Sequence, residues 1–181
     1  MFADNTLTPK EAVRLCALGT MALRPMTYAG LANSIRHFIS RITGPSLDVM
    51  GVSIELLIYE GLIEAVNGEG MSDDAELVIT DKGRAELTSL LKANVRPAAT
   101  EISKLVVALK FRFLHLLESA DRIDQAELLI EMTENELARL DDLCAHHTNN
   151  EGYLVVWLQH DIELLESRLD WLKEFQASLA T

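Results

Sequence analysis

Between Leu62 and Thr80 the hydrophobic period of this chain leaves the helical rhythm, alternates, and then returns to it. Leu62-Ile63-Glu64-Ala65-Val66 and Glu76-Leu77-Val78-Ile79-Thr80 carry the alternating, β-branched character of strands, and the turn-rich run from Asn67 to Asp74 separates them. A hairpin is predicted. A lone hairpin is marginal in water, so the helices on either side must supply the core it packs against.

Those helices are marked by their caps. Thr8-Pro9-Lys10-Glu11 is a capping box with proline at the first helical position, followed by the apolar Val13, Leu15, Cys16, Leu18 and Leu23. Thr27 caps a second helix with Leu31, Ile35, Phe38 and Ile39 inside, and Gly44-Pro45 ends it. Ser46 caps a third, Leu47 to Glu60, with Met50, Ile54, Leu57 and Ile58 on its inner side and Gly61 as its stop. After the hairpin, Thr80-Asp81-Lys82-Gly83 opens a fourth helix through Leu87, Leu90 and Leu91, and the stretch around Pro97 reads as a connector.

From Glu101 onward the pattern is helical in three segments. Ile102, Val106, Leu109, Phe113 and Leu116 alternate steps of four and three, as do Ile123, Ala126, Ile130, Thr133, Leu137, Leu140 and Cys144. The last helix, Tyr153 to about Ala177, carries Leu158, Ile162, Leu165, Leu169 and Leu172 on one seam and Trp157, Leu164 and Trp171 on a column beside it. So wide an apolar face needs more than one neighbour. With Leu154, these nine residues are the expected dimerisation surface.

Helix, helix, helix, hairpin, helix is the order of a winged helix, in which the third helix enters the major groove and the hairpin reaches the adjacent backbone. The expected fold class is therefore mainly α with a small β-hairpin wing: a winged helix-turn-helix over residues 1–96 and a long-helix dimerisation domain over residues 97–181. Leu56-Leu57-Ile58-Tyr59-Glu60-Gly61-Leu62-Ile63 and Ile79-Thr80-Asp81-Lys82-Gly83-Arg84 resemble the corresponding phrases of winged-helix transcription regulators. Together with Leu109-Lys110-Phe111-Arg112-Phe113-Leu114 and the terminal Trp171-Leu172, they look like the PadR family. The chain departs from that family at Gly44-Pro45-Ser46-Leu47-Asp48, where Gly-Ser-Leu-Tyr-Pro is common, and at Val78-Ile79, where an aromatic usually precedes the wing threonine. The resemblance implies a transcriptional repressor, homodimeric on a near-palindromic operator, with double-stranded DNA and a second copy of the chain as partners. It leaves room for a small-molecule effector that the residues do not identify.

The charge balance at first opposes this reading. The 181 residues carry a net charge of −12, whereas a DNA-binder must neutralise phosphates with Lys and Arg. The distribution matters more: residues 1–96 sum to −3 and residues 97–181 to −9. Between Asn5 and Leu47 the basic Lys10, Arg14, Arg24, Arg36 and Arg41 face only Glu11, a local balance of +4. Arg36, His37 and Arg41, late on the second helix, and Lys82 and Arg84 at the wing base suit phosphate contact, helix-terminus solvation being the competing role for the last two. Ser46, Val49 and Ser53 project from the third helix away from its core side, towards base edges, while Asp48 and Glu55 either accept from cytosine or face solvent. The acidity keeps an alternative open, a winged-helix adaptor that contacts proteins and not DNA.

No enzyme is expected. There is no nucleophile elbow, glycine-rich phosphate loop or dinucleotide fingerprint, and His146-His147 are adjacent, without the Glu-x-x-His spacing that places two metal ligands on one helix face. Neither cofactor nor metal is expected. Cys16 and Cys144 lack C-x-x-C spacing and read as free thiols. The apolar run Leu15 to Leu23 is too short to span a bilayer, so the expectation is a cytoplasmic protein with no membrane partner.

Overall fold

The computed structural model describes residues 5–44, 54–66, 72–96, 100–147 and 152–179. Its elements run α1 (Pro9–Leu23), β1 (Met26–Thr27), α2 (Tyr28–Thr43), α3 (Ile54–Tyr59), β2 (Ile63–Ala65), β3 (Glu76–Ile79), α4 (Asp81–Leu91), α5 (Glu101–Phe113), a short 3₁₀ turn (Leu114–Leu116), α6 (Ser119–His147) and α7 (Leu154–Leu179). The fold is mainly helical with a small antiparallel sheet, as a winged helix followed by C-terminal helices requires. The residues expected to cap and begin the third helix, 46–53, and most of those expected at the hairpin tip, 67–71, lie outside the described residues.

Local chemistry sets the boundaries. Thr8 accepts from the Glu11 amide at 3.3 Å while the Glu11 carboxylate accepts from the Thr8 amide at 2.7 Å, completing the capping box. Those bonds hold the Glu11 carboxyl below its ordinary range. Thr27 accepts from Gly30 at 3.1 Å to start α2, and Gly44, at φ 78°, ends it. Between α1 and α2 the sequence reading missed β1, which pairs with β3 through Met26–Leu77 and Thr27–Glu76 and gives the sheet the order β1-β3-β2. Two residues are too few to show an alternating pattern.

Packing divides the chain into two compact units, Met1–Leu117 and Glu118–Thr181. In the first, α1 is the hub: Leu15, Cys16, Ala17 and Leu18 are fully buried, with α2, α4, α5 and β3 around them. Burial pushes the Cys16 thiol up to about 11. The division falls at Leu117, beyond the Pro97 connector where the sequence places a boundary, because α5 packs on α1 and α2. Arg112 of α5 stacks on the ring of Phe38 at 4.4 Å and on that of Phe113 at 4.9 Å. Lys110, only 1% exposed, donates to the Leu91 carbonyl at 2.6 Å and the Ala93 carbonyl at 2.7 Å, so it caps the C-terminus of α4.

In the second unit α6 and α7 pack along one another, and Lys173 of α7 pairs with Glu134 of α6 at 3.0 Å. Leu158, Leu165 and Leu172, seven residues apart, form the buried seam of α7. Among the described residues no helix is long and apolar enough to cross a membrane.

Candidate nucleic-acid interface

The joint between α3 and the wing is built by one threonine. Thr80 donates its hydroxyl to the Gly61 carbonyl at 2.7 Å, receives the Gly83 amide at 3.0 Å to cap α4, and sends its own amide to the Leu62 carbonyl at 3.1 Å. Gly61 sits at φ 70°, a conformation that favours glycine and turns α3 directly into β2. At Gly83 any Cβ would collide with the Leu62 carbonyl oxygen, so only glycine lets α4 approach the wing this closely. The phrase from Gly61 to Arg84 is thus a set of mutual contacts that fixes the wing against the end of α3.

The basic residues divide into occupied and available. Arg14, counted in the basic stretch, is half-buried and binds Glu60 through both terminal nitrogens, at 2.9 and 3.0 Å, and Glu86 at 3.3 Å, tying α1 to the end of α3 and to α4. Lys82 donates to the Glu60 carbonyl at 2.7 Å and caps α3, the helix-terminus role set against phosphate contact. Arg36, His37 and Arg41 are exposed on the second half of α2, with Arg36 donating to the Asn33 side-chain oxygen at 3.1 Å. Arg84 is exposed in the first turn of α4. Ser46, Val49 and Ser53, together with Asp48, lie outside the described residues.

Glu55 does not stand as a free acceptor. The Tyr28 hydroxyl hydrogen-bonds its carboxylate across α2 and α3, and that bond, with burial and the carboxylates of Glu55 and Asp73, pushes the Tyr28 phenol up to about 12. The sequence gives no sign of this pair, because a contact between residues 28 and 55 has no periodicity to betray it. Arg14 and Lys110 were hidden in the same way: their partners are set by tertiary packing.

The second unit sorts its apolar residues by face. Leu158, Leu165 and Leu172 are buried within the single chain and Ile162 and Leu169 half-buried, so the first three are inner-seam residues. Trp157, Leu164 and Trp171 remain 56, 57 and 51% exposed, and Leu154 is exposed beside them. Trp171 stacks on Phe175 with ring centroids 5.6 Å apart. Among the described residues no three His, Cys, Asp or Glu side chains converge as a metal site.

Winged-helix geometry alone is shared by many proteins. The deciding comparison is with protein families, where the model described as "Putative AphA-like transcriptional regulator" matches residues 2–176, nearly the whole chain. The chain belongs to this AphA-like family. No curated protein matches it. The AphA-like match bears out a transcriptional regulator and does not single out PadR, to which the wing phrases pointed. The AphA-like match covers most of both compact units, so it includes α6 and most of α7 as well as the winged helix.

Proposed function

We propose that this AphA-like chain is a DNA-binding repressor and not an enzyme, acting in the cytoplasm as a homodimer on a near-palindromic operator. The observation that carries the reading is the exposed group Arg36, His37 and Arg41 on α2 of a winged helix, in a chain whose family is one of transcriptional regulators. In such folds this part of the second helix meets phosphate while the third helix enters the major groove. Arg84 extends the same chemistry to the wing base. Lys82 is exposed beside it and bonded to the Glu60 carbonyl, and Arg14 is engaged by Glu60 and Glu86.

The homodimer rests on α7, whose exposed column would face a second copy. A two-fold dimer presents two third helices to successive turns of the major groove, so half-sites should be about one helical turn apart. Closeness to PadR regulators within this family is supported by Leu109 to Leu114 and by Trp171-Leu172. Selection of bound fragments from genomic DNA by the purified chain tests the proposal. Enrichment of a short near-palindrome is expected; recovery of no preferred fragment would leave the winged helix as a protein-contact adaptor.

A further inference from the structure

The stretch that the sequence assigns to the third helix lacks the side chains that usually read purines. Residues 46–60 contain no Lys, Arg, Asn, Gln or His, whereas guanine is read by Arg or Lys and adenine by Asn or Gln. The carboxylates described in this stretch are engaged within the fold, Glu55 by the Tyr28 hydroxyl and Glu60 by Arg14. What the described part of α3 offers outward is apolar. Leu56 is 42% exposed and Tyr59 89%, three residues apart on one face, while Ile54 and Leu57 on the other face are buried in the core.

The major groove holds one apolar group that such a face can meet, the C5-methyl of thymine. Resting on the DNA-binding reading proposed above, we infer that Leu56 and Tyr59 are specificity-determining residues that recognise thymine methyl groups. Affinity then comes from the arginines of α2 through phosphate, and base preference from a methyl-reading face. This division of labour explains how residues 46–60, without a single cation, can serve DNA binding in a chain of net charge −12.

The experiment replaces thymine by deoxyuridine, which removes only the methyl. In a duplex selected by the wild-type chain, each thymine is replaced singly and binding is titrated. Losses of about fourfold are expected at the contacted thymines, the factor that corresponds to about 0.8 kcal/mol for one buried methylene-sized group. In Leu56→Ala the loss at one thymine per half-site should vanish, and in Tyr59→Ala the loss at another; both side chains are exposed, and thermal melts verify that the variants fold. Neutral deoxyuridine at every position, or losses that persist unchanged in both variants, would overturn the inference while leaving the regulator intact. If the wild-type chain selects no duplex at all, the DNA-binding reading falls and takes this inference with it.

Discussion

Lys110 is the residue whose chemistry departs furthest from its type. A lysine at a helix seam is ordinarily solvated, yet here the ammonium is enclosed and its hydrogen bonds go to the carbonyls of Leu91 and Ala93. Burial pulls its pKa from 10.5 down to about 8. The folded chain therefore binds this proton less tightly than the unfolded chain does. Between about pH 8 and pH 10.5 the unfolded state holds more protons, so this group's contribution makes the fold more stable as pH rises through that window. Below about pH 8 the cost of the buried charge is fully present, offset by the carbonyl dipoles at the end of α4. Denaturant titrations at several pH values should show the wild-type chain gaining on Lys110→Met from pH 8 upward, and a constant difference would contradict the assignment. Gly83 makes a second residue-scale case. Gly83→Ala should cost on the order of 2–3 kcal/mol, because the added carbon meets backbone and not a movable side chain, and chemical denaturation measures it.

At the scale of elements, the caps were legible and the partners were not. Thr8 with Glu11, Thr27, Thr80 and Gly61 each announce a boundary in sequence, because the chemistry of a helix end is local and the residues that satisfy it lie within a few positions. The hairpin was legible for the same reason, its alternation being written over five residues on each side. Where α5 belongs was not legible: Val106, Leu109 and Phe113 show that it has an apolar face, but only packing shows that the face covers α1 and α2. The inner and outer faces of α7 were distinguished in sequence only as two adjacent columns, and the structure assigns Leu158, Leu165 and Leu172 to the hairpin itself. The bond of Lys82 to the Glu60 carbonyl spans 22 positions and was not legible either. Thr80 joins three elements and offers a direct test of the wing joint. Thr80→Ala removes a cap bond to Gly83 and a bond to Gly61, so a loss of about 1–2 kcal/mol in thermal or denaturant unfolding is expected, against a few tenths for Thr80→Ser.

At the scale of the molecule, the account makes one claim about assembly and one about DNA. Half-exposed Trp157, Leu164 and Trp171 would bury roughly 500–600 Å² in a symmetric pair, worth roughly 10–15 kcal/mol before an association cost of about 4–15 kcal/mol. The column alone is therefore only comparable to the cost, and exposed Leu154 and Val156 must add to it. Sedimentation should give twice the mass of 20.1 kDa, and Trp157→Asp or Leu164→Asp should shift it to monomer, since the hairpin's own seam does not use either residue. A monodisperse wild-type monomer at micromolar concentration would contradict the claim. The central claim is that Arg36 and Arg41 hold phosphate. It is tested most directly by titrating the wild-type chain, Arg36→Ala and Arg41→Ala against the selected duplex and random DNA over a salt series. Each replacement should weaken binding to both DNAs and flatten the slope of log affinity against log salt by about one unit. If both variants keep the wild-type affinity and the wild-type slope, the α2 arginines do not touch DNA and the account fails at its centre.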